Sequence, residues 1–114
     1  MTVVLGMTSA KGELPLVTGS DYQYVFHWTD PDTGEAADFP DGAELYYLIG
    51  AMSNPSPAQW DFVIDGDTAT IKKESTVADV VAHRTPFRLL FKEDTTPTTE
   101  TVLVYGLVRR VEPR

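Results

Sequence analysis

The chain has 114 residues, 42% of them hydrophobic and 23% charged, which are ordinary values for one globular domain long enough to bury a core. Nine basic against seventeen acidic residues leave a formal net charge of −8, which argues against nucleic acid and anionic membrane surfaces as partners, since both are bound through cations. The chain has no cysteine, so disulfides, thiolate metal sites and cysteine nucleophiles are excluded, and folding in a reducing cytoplasm is expected.

The N-terminal Met-Thr-Val-Val-Leu-Gly-Met lacks the basic region and apolar run of a signal peptide. No stretch approaches the ~20 apolar residues of a membrane helix, so no membrane insertion is expected. Residues 1–13 read as a flexible N-terminal arm: Val3–Met7 is an edge strand or an arm that docks on a neighbouring subunit, with Val3, Val4 and Leu5 its apolar contact residues, and Ser9–Glu13 is a turn or loop. Leu14, Leu16 and Thr18 alternate around Pro15, which cannot donate to a ladder, so this strand lies at an edge or begins there.

Tyr22 to Trp28 is the most distinctive stretch. Tyr22, Tyr24, Phe26 and Trp28 share one parity, so a strand presents four aromatics on one face. This predicts the central strand of a β-sandwich with that face inward. Asp30-Pro31-Asp32-Thr33-Gly34 follows as a turn with a hairpin-like connection, because Pro presets the first corner and Gly supplies a positive φ. It bears a faint similarity to a calcium loop, but its glycine comes one place early, and the turn accounts for the same residues.

Ala43 to Ile49 is apolar on both parities, as in a strand covered on both sides. Ser53–Ala58 is a loop by composition. Trp60–Ile64 and Ala69–Ile71 form a hairpin about Asp65-Gly66-Asp67. Val77, Val80 and Val81 are spaced for a short helix over Ser75–His83, with Ser75 or Thr76 as cap and Asp79 in the first turn. Phe87, Leu89 and Phe91 alternate in the next strand, and Thr101–Val111 forms the last. The sum is an all-β fold: a single β-sandwich of about seven to eight mostly antiparallel strands with one short helix.

No pattern announces a chemistry. His27 and His83 lack the context of a nucleophile elbow or triad, and glycine-rich phosphate loops are absent. With seventeen acidic residues some carboxylate pair meets glycosidase spacing by chance, so such a pair decides nothing. No catalytic residue, metal site or cofactor is assigned. Tyr46, Tyr105 and Trp60 are candidates for an exposed aromatic platform, with Tyr46 and Tyr105 the preferred contact residues. Arg109-Arg110 is too small for a basic patch and reads as the cap of a strand end.

One order of features is distinctive: Phe26, Trp28 and Asp30; Gly34, Asp38, Pro40 and Ala43; Trp60, Ile64, Gly66 and Ala69; Arg84, Arg88, Leu89 and Leu90; then Tyr105, Gly106, Val108 and Arg109. In these residues, from Tyr22 onward, the chain resembles the LtfC-like small β-sandwich proteins encoded among the tail genes of phages of actinobacteria. The resemblance implies a non-enzymatic virion protein made in the host cytoplasm, a tail-tip or tail-fibre adaptor. It would act by assembly with other virion proteins or with copies of itself. The alternatives are a head decoration protein and a carbohydrate-binding module for host attachment.

Overall fold

The computed structural model describes residues 10–30, 33–51, 53, 55–94 and 97–112. Eight strands and one helical turn follow in the order β1 (Ala10–Val17), β2 (Tyr22–His27), β3 (Glu44–Ile49), β4 (Ala58–Asp61), β5 (Val63–Asp65), β6 (Thr68–Lys73), α1 (Ser75–Ala78), β7 (Pro86–Glu93) and β8 (Thr99–Val111). They form a five-stranded sheet in the order β1-β8-β7-β3-β4 and a three-stranded sheet in the order β2-β6-β5. All pairings are antiparallel except that of β1 with β8. The expected β-sandwich is therefore what forms. No helix among the described residues is long and apolar enough to cross a membrane.

The core lies between the sheets and is largely aromatic. Trp28 packs on Phe39 and Phe91 at 4.8 and 5.1 Å between ring centres, and Phe62 lies 5.5 Å from both Phe26 and Tyr47. Each such tilted pair adds about 0.5–1.5 kcal/mol beyond the area it buries. Leu14, Leu16, Ile71, Leu89 and Val108 fill the spaces between the rings and are almost wholly buried.

One flank of the sandwich is closed by the chain itself. Residues 58–65 pass from the large sheet to the small one, with the Phe62 N–H donated to Leu45 O (2.9 Å) at the crossing. The expected Trp60–Ile64 strand is thus two short strands in different sheets. The hairpin after it forms as read, with Gly66 at φ 61°.

Several expectations need correction. The strand β2 is not central but lies at the margin of the small sheet, and Tyr24 is 47% exposed. Alternation sets which way the four aromatics face, but not whether a neighbour covers them. Three strands cannot span five, so the inward face is left uncovered at this flank. Of the expected turn Ser9–Glu13, Ser9 lies outside the described residues and Ala10–Glu13 is strand, because pairing with β8 outweighs the weak local preference of Lys11-Gly12-Glu13. The Thr29–Ala36 bridge closes the expected turn locally, but β2 and β3 lie in different sheets and form no hairpin.

The helix is one turn, Ser75–Ala78. Ala78 is buried and Val81 half-buried against the core, while Val77 and Val80 are exposed. The valine spacing therefore misplaced the inward face. Glu74 takes the cap position without a side-chain bond, and Asp79 follows the turn rather than opening it. The Ser75 N–H is satisfied by Asp21 Oδ1 at 2.8 Å.

Candidate functional site

The flank opposite the β4–β5 crossing is open. Between β1, β2 and the inner face of the large sheet lies a cleft of about 480 Å³, lined chiefly by Tyr22, Tyr24, Phe26, Tyr47, Leu89 and Val104. Glu13 and Gln23 also contribute to its wall. The strands at this flank face each other because Gly19-Ser20-Asp21 carries the chain from one sheet to the other. That turn is held by the Gly19 N–H donating to both carboxylate oxygens of Asp79 at 3.1 and 3.2 Å.

At the floor of the cleft the Tyr22 and Tyr47 hydroxyls are 2.7 Å apart, joining the two sheets. Burial raises the Tyr47 hydroxyl far above the ordinary phenol value, and the Tyr22 ring and its hydrogen bond raise it further. Burial also raises the Tyr22 hydroxyl, against the opposing effect of its bond to Tyr47. Both are neutral hydrogen-bonding groups at physiological pH.

The wall formed by β2 is also an unpaired backbone edge. The Trp28 N–H donates to Asp67 O at 2.8 Å, so the Trp28–Asp67 pair is a hydrogen-bonded one. In an antiparallel ladder bonded and non-bonded pairs alternate. With Tyr22 opposite Lys73, Tyr24 opposite Ile71 and Phe26 opposite Ala69, these residues bond to β6. The N–H and C=O groups of Gln23, Val25 and His27 then point away from it, toward the open flank. They have no partner strand among the described residues.

The other edges are blunted. In β1 the Thr18 N–H bonds to Val111 O, which puts the outward-pointing groups on Lys11, Glu13, Pro15 and Val17. Pro15 has no N–H to offer there, as expected for an edge, and Lys11 and Glu13 add charge. The strands β4 and β5 are four and three residues long and end in Asp61 and Asp65. Short strands, proline and charge are the usual protections of a sheet edge. Over Tyr22–His27 there are six residues without proline, glycine or a formal charge.

The expected contact residues are not gathered at this site. Val3, Val4 and Leu5 lie outside the described residues. Tyr46, a candidate for the exposed platform and otherwise a sheet-covering residue, is only 7% exposed on the outer face of the large sheet. It sits between its cross-strand neighbours Asp61 and Leu90, because β3 lies inside the sheet with β4 on one side and β7 on the other. Burial and the charges of Glu100 and Glu44 raise its hydroxyl above the ordinary value. Trp60 points the opposite way, into the core, so no platform forms with Tyr46.

Tyr105 is exposed on the outer face beside Arg88, against a shallow groove that also includes Pro86 and Val102. His83 Nδ1 accepts the Arg110 N–H at 3.0 Å, a structural use of that ring. Among the described residues no group of three His, Asp or Glu side chains is placed to hold a metal ion. The edge at Gln23, Val25 and His27 was missed in the sequence reading, although its signal is present there: this strand alone lacks both the proline of β1 and the charges of the other edges.

Comparison with curated proteins finds no match. A family model described as LtfC-like, beta-sandwich domain matches residues 8–111. That span contains both sheets, the closed flank, the open cleft and the β2 edge, and the chain accordingly belongs to the LtfC-like β-sandwich domain family.

Proposed function

We propose that this chain is a non-enzymatic structural protein of a phage virion, an adaptor of the tail tip or tail fibre that works through protein–protein contacts. One observation carries the reading: the unblunted edge of β2 beside an apolar, aromatic cleft. An extended segment added there gains main-chain hydrogen bonds from Gln23, Val25 and His27 and places alternate side chains in the cleft. Tyr24, with an apolar ring, a polar tip and 47% exposure, is the kind of residue that anchors an interface. Family membership supports the virion setting through the tail-gene association stated above, and the net charge of −8 points away from nucleic acid.

A carbohydrate-binding module is the second reading, supported by Glu13 and Gln23 beside the exposed tyrosine. It is the weaker one. The Tyr24 and Phe26 rings are inclined at 47° and do not offer the flat stack that a sugar ring needs.

The test is a photo-reactive residue in place of Tyr24, carried into assembling particles. Cross-links to a tail protein are expected. Particles in which this residue captures nothing while Tyr105 captures a virion protein would move the interface to the outer face of the large sheet. Binding of host-envelope oligosaccharides that quenches tyrosine emission would support the sugar reading instead.

A further inference from the structure

Something extended and uncharged suits the β2 edge, and the chain carries such a segment itself. Resting on the reading of β2 as a docking edge, we propose that its occupant is the N-terminal segment of a second copy. Val3–Met7 of each copy would add as a strand to the β2 edge of the other.

Three observations converge on this. The first is chemical match. The nine residues before Ala10 contain no charged side chain, and Val3, Leu5 and Met7 share one parity. In a strand these three side chains point to one face, which the cleft can receive beside Tyr22, Tyr24 and Phe26. Thr2, Val4, Gly6 and Thr8 take the other face.

The second is reach. A strand advances about 3.3 Å per residue, so nine residues span about 30 Å and the six of β2 about 20 Å. The five residues Val3–Met7 cover about 16 Å, most of that edge, and leave Thr8 and Ser9 to lead from the sheet of their own copy.

The third is position. Ala10 pairs with Val104, and Val104 lines the cleft, so the residue to which the segment is joined lies on the flank that carries the acceptor edge. Donor and acceptor on one flank of each copy allow reciprocal exchange about a two-fold axis. Such an isologous pairing closes as a dimer rather than growing into a fibre. The charge of −8 on each copy opposes the approach but is screened beyond about 8 Å at physiological salt, and the exchanged segment adds none.

The test is light scattering of the full chain at rising concentration, with amide exchange of Gln23, Val25 and His27 followed over the same range. A monomer–dimer transition is expected, with these three amides slowing as dimer accumulates. Leu5→Asp removes the donor and Val25→Pro the acceptor, and each is expected to weaken dimerisation at least about tenfold. Residue 25 turns its N–H outward, so proline there removes no bond to β6. Val25→Lys, which only places a charge on the edge, serves as acceptor variant if Val25→Pro unfolds.

Mixing the donor-defective and acceptor-defective chains restores one junction and is expected to recover dimer. A chain that stays monomeric with the three amides exchanging freely overturns this occupant, leaving the docking edge to be judged by the Tyr24 cross-links. A monomer whose amides are slow, and are released by Leu5→Asp, shows the segment folded on its own edge and overturns the second-copy assignment. A dimer that persists in both acceptor variants places self-association on another face and overturns the docking reading of β2 as well.

Discussion

Tyr22 and Tyr47 meet hydroxyl to hydroxyl at 2.7 Å, one from each sheet, at the floor of the only flank the chain leaves open among its described residues. Tyr47→Phe leaves the half-buried Tyr22 hydroxyl without its partner and is expected to cost about 1 kcal/mol in denaturant unfolding. Both folded-state values lie above the unfolded phenol value, so the stabilisation is fully present below about pH 10 and is lost as pH rises through the folded values. Stability measured against pH is expected to fall more steeply above about pH 10 in the unsubstituted chain than in Tyr47→Phe. Parallel curves would show that the pair is not neutral and coupled as described.

Gly106 and Gly12 face each other across the parallel β1–β8 pair. A Cβ at residue 106 would overlap the Gly12 carbonyl oxygen, whereas one at residue 12 would meet only Val104 Cγ1 at 3.1 Å. Backbone cannot move aside as a methyl group can. Gly106→Ala is expected to cost about 2 kcal/mol or more and Gly12→Ala under about 1 kcal/mol, read from thermal or denaturant unfolding.

The adjacent arginines Arg109 and Arg110 have opposite fates. Arg110 has a side chain only 9% exposed, donates to Ala78 O at 2.7 Å and to Val81 O, and lies 3.6 Å from Asp79 Oδ1. It ties β8 to the end of α1 and, through Asp79, to the β1–β2 turn. Arg109 pairs with Glu13 at 3.4 Å with both side chains more than half exposed. Arg110→Ala is expected to cost about 2–3 kcal/mol and Arg109→Ala under about 0.5 kcal/mol, a difference that calorimetry resolves.

Tyr46 and Tyr24 separate stability from docking. Tyr46→Ser removes a buried ring and is expected to destabilise the fold by about 2 kcal/mol or more without changing the contacts of the open flank. Tyr24→Ser is expected to change stability by under about 1 kcal/mol, because the ring is half exposed, yet to weaken capture by a virion partner. Equal effects of the two on binding would show that the cleft is not the contact surface.

How much of this could be read in the sequence differs from element to element. Alternation gave β1, β3, β7 and β8 their faces, Pro15 marked an edge, and Gly66 marked a hairpin, because each of these signals is local. The place of Tyr22–His27 within its sheet is not local. It depends on the small sheet having three strands, which follows from the crossing at Phe62 and from the parallel β1–β8 pair. The choice between platform and sheet-covering residue at Tyr46 turns on the same point: a tyrosine on the solvent-facing parity is covered when its strand lies mid-sheet. The unprotected edge of β2 shows in the sequence only as missing protections, which carry meaning once the strand is known to be an edge.

The central claim is that the β2 edge is where this protein is held by its neighbours. Amide exchange of the isolated chain, compared with the chain assembled into particles, tests it most directly. The account predicts that Gln23, Val25 and His27 exchange fast in isolation and slowly in the particle, while Lys11 and Glu13 on the blunted β1 edge remain fast in both. Unchanged exchange at those three positions, with protection appearing elsewhere on the surface, would contradict it.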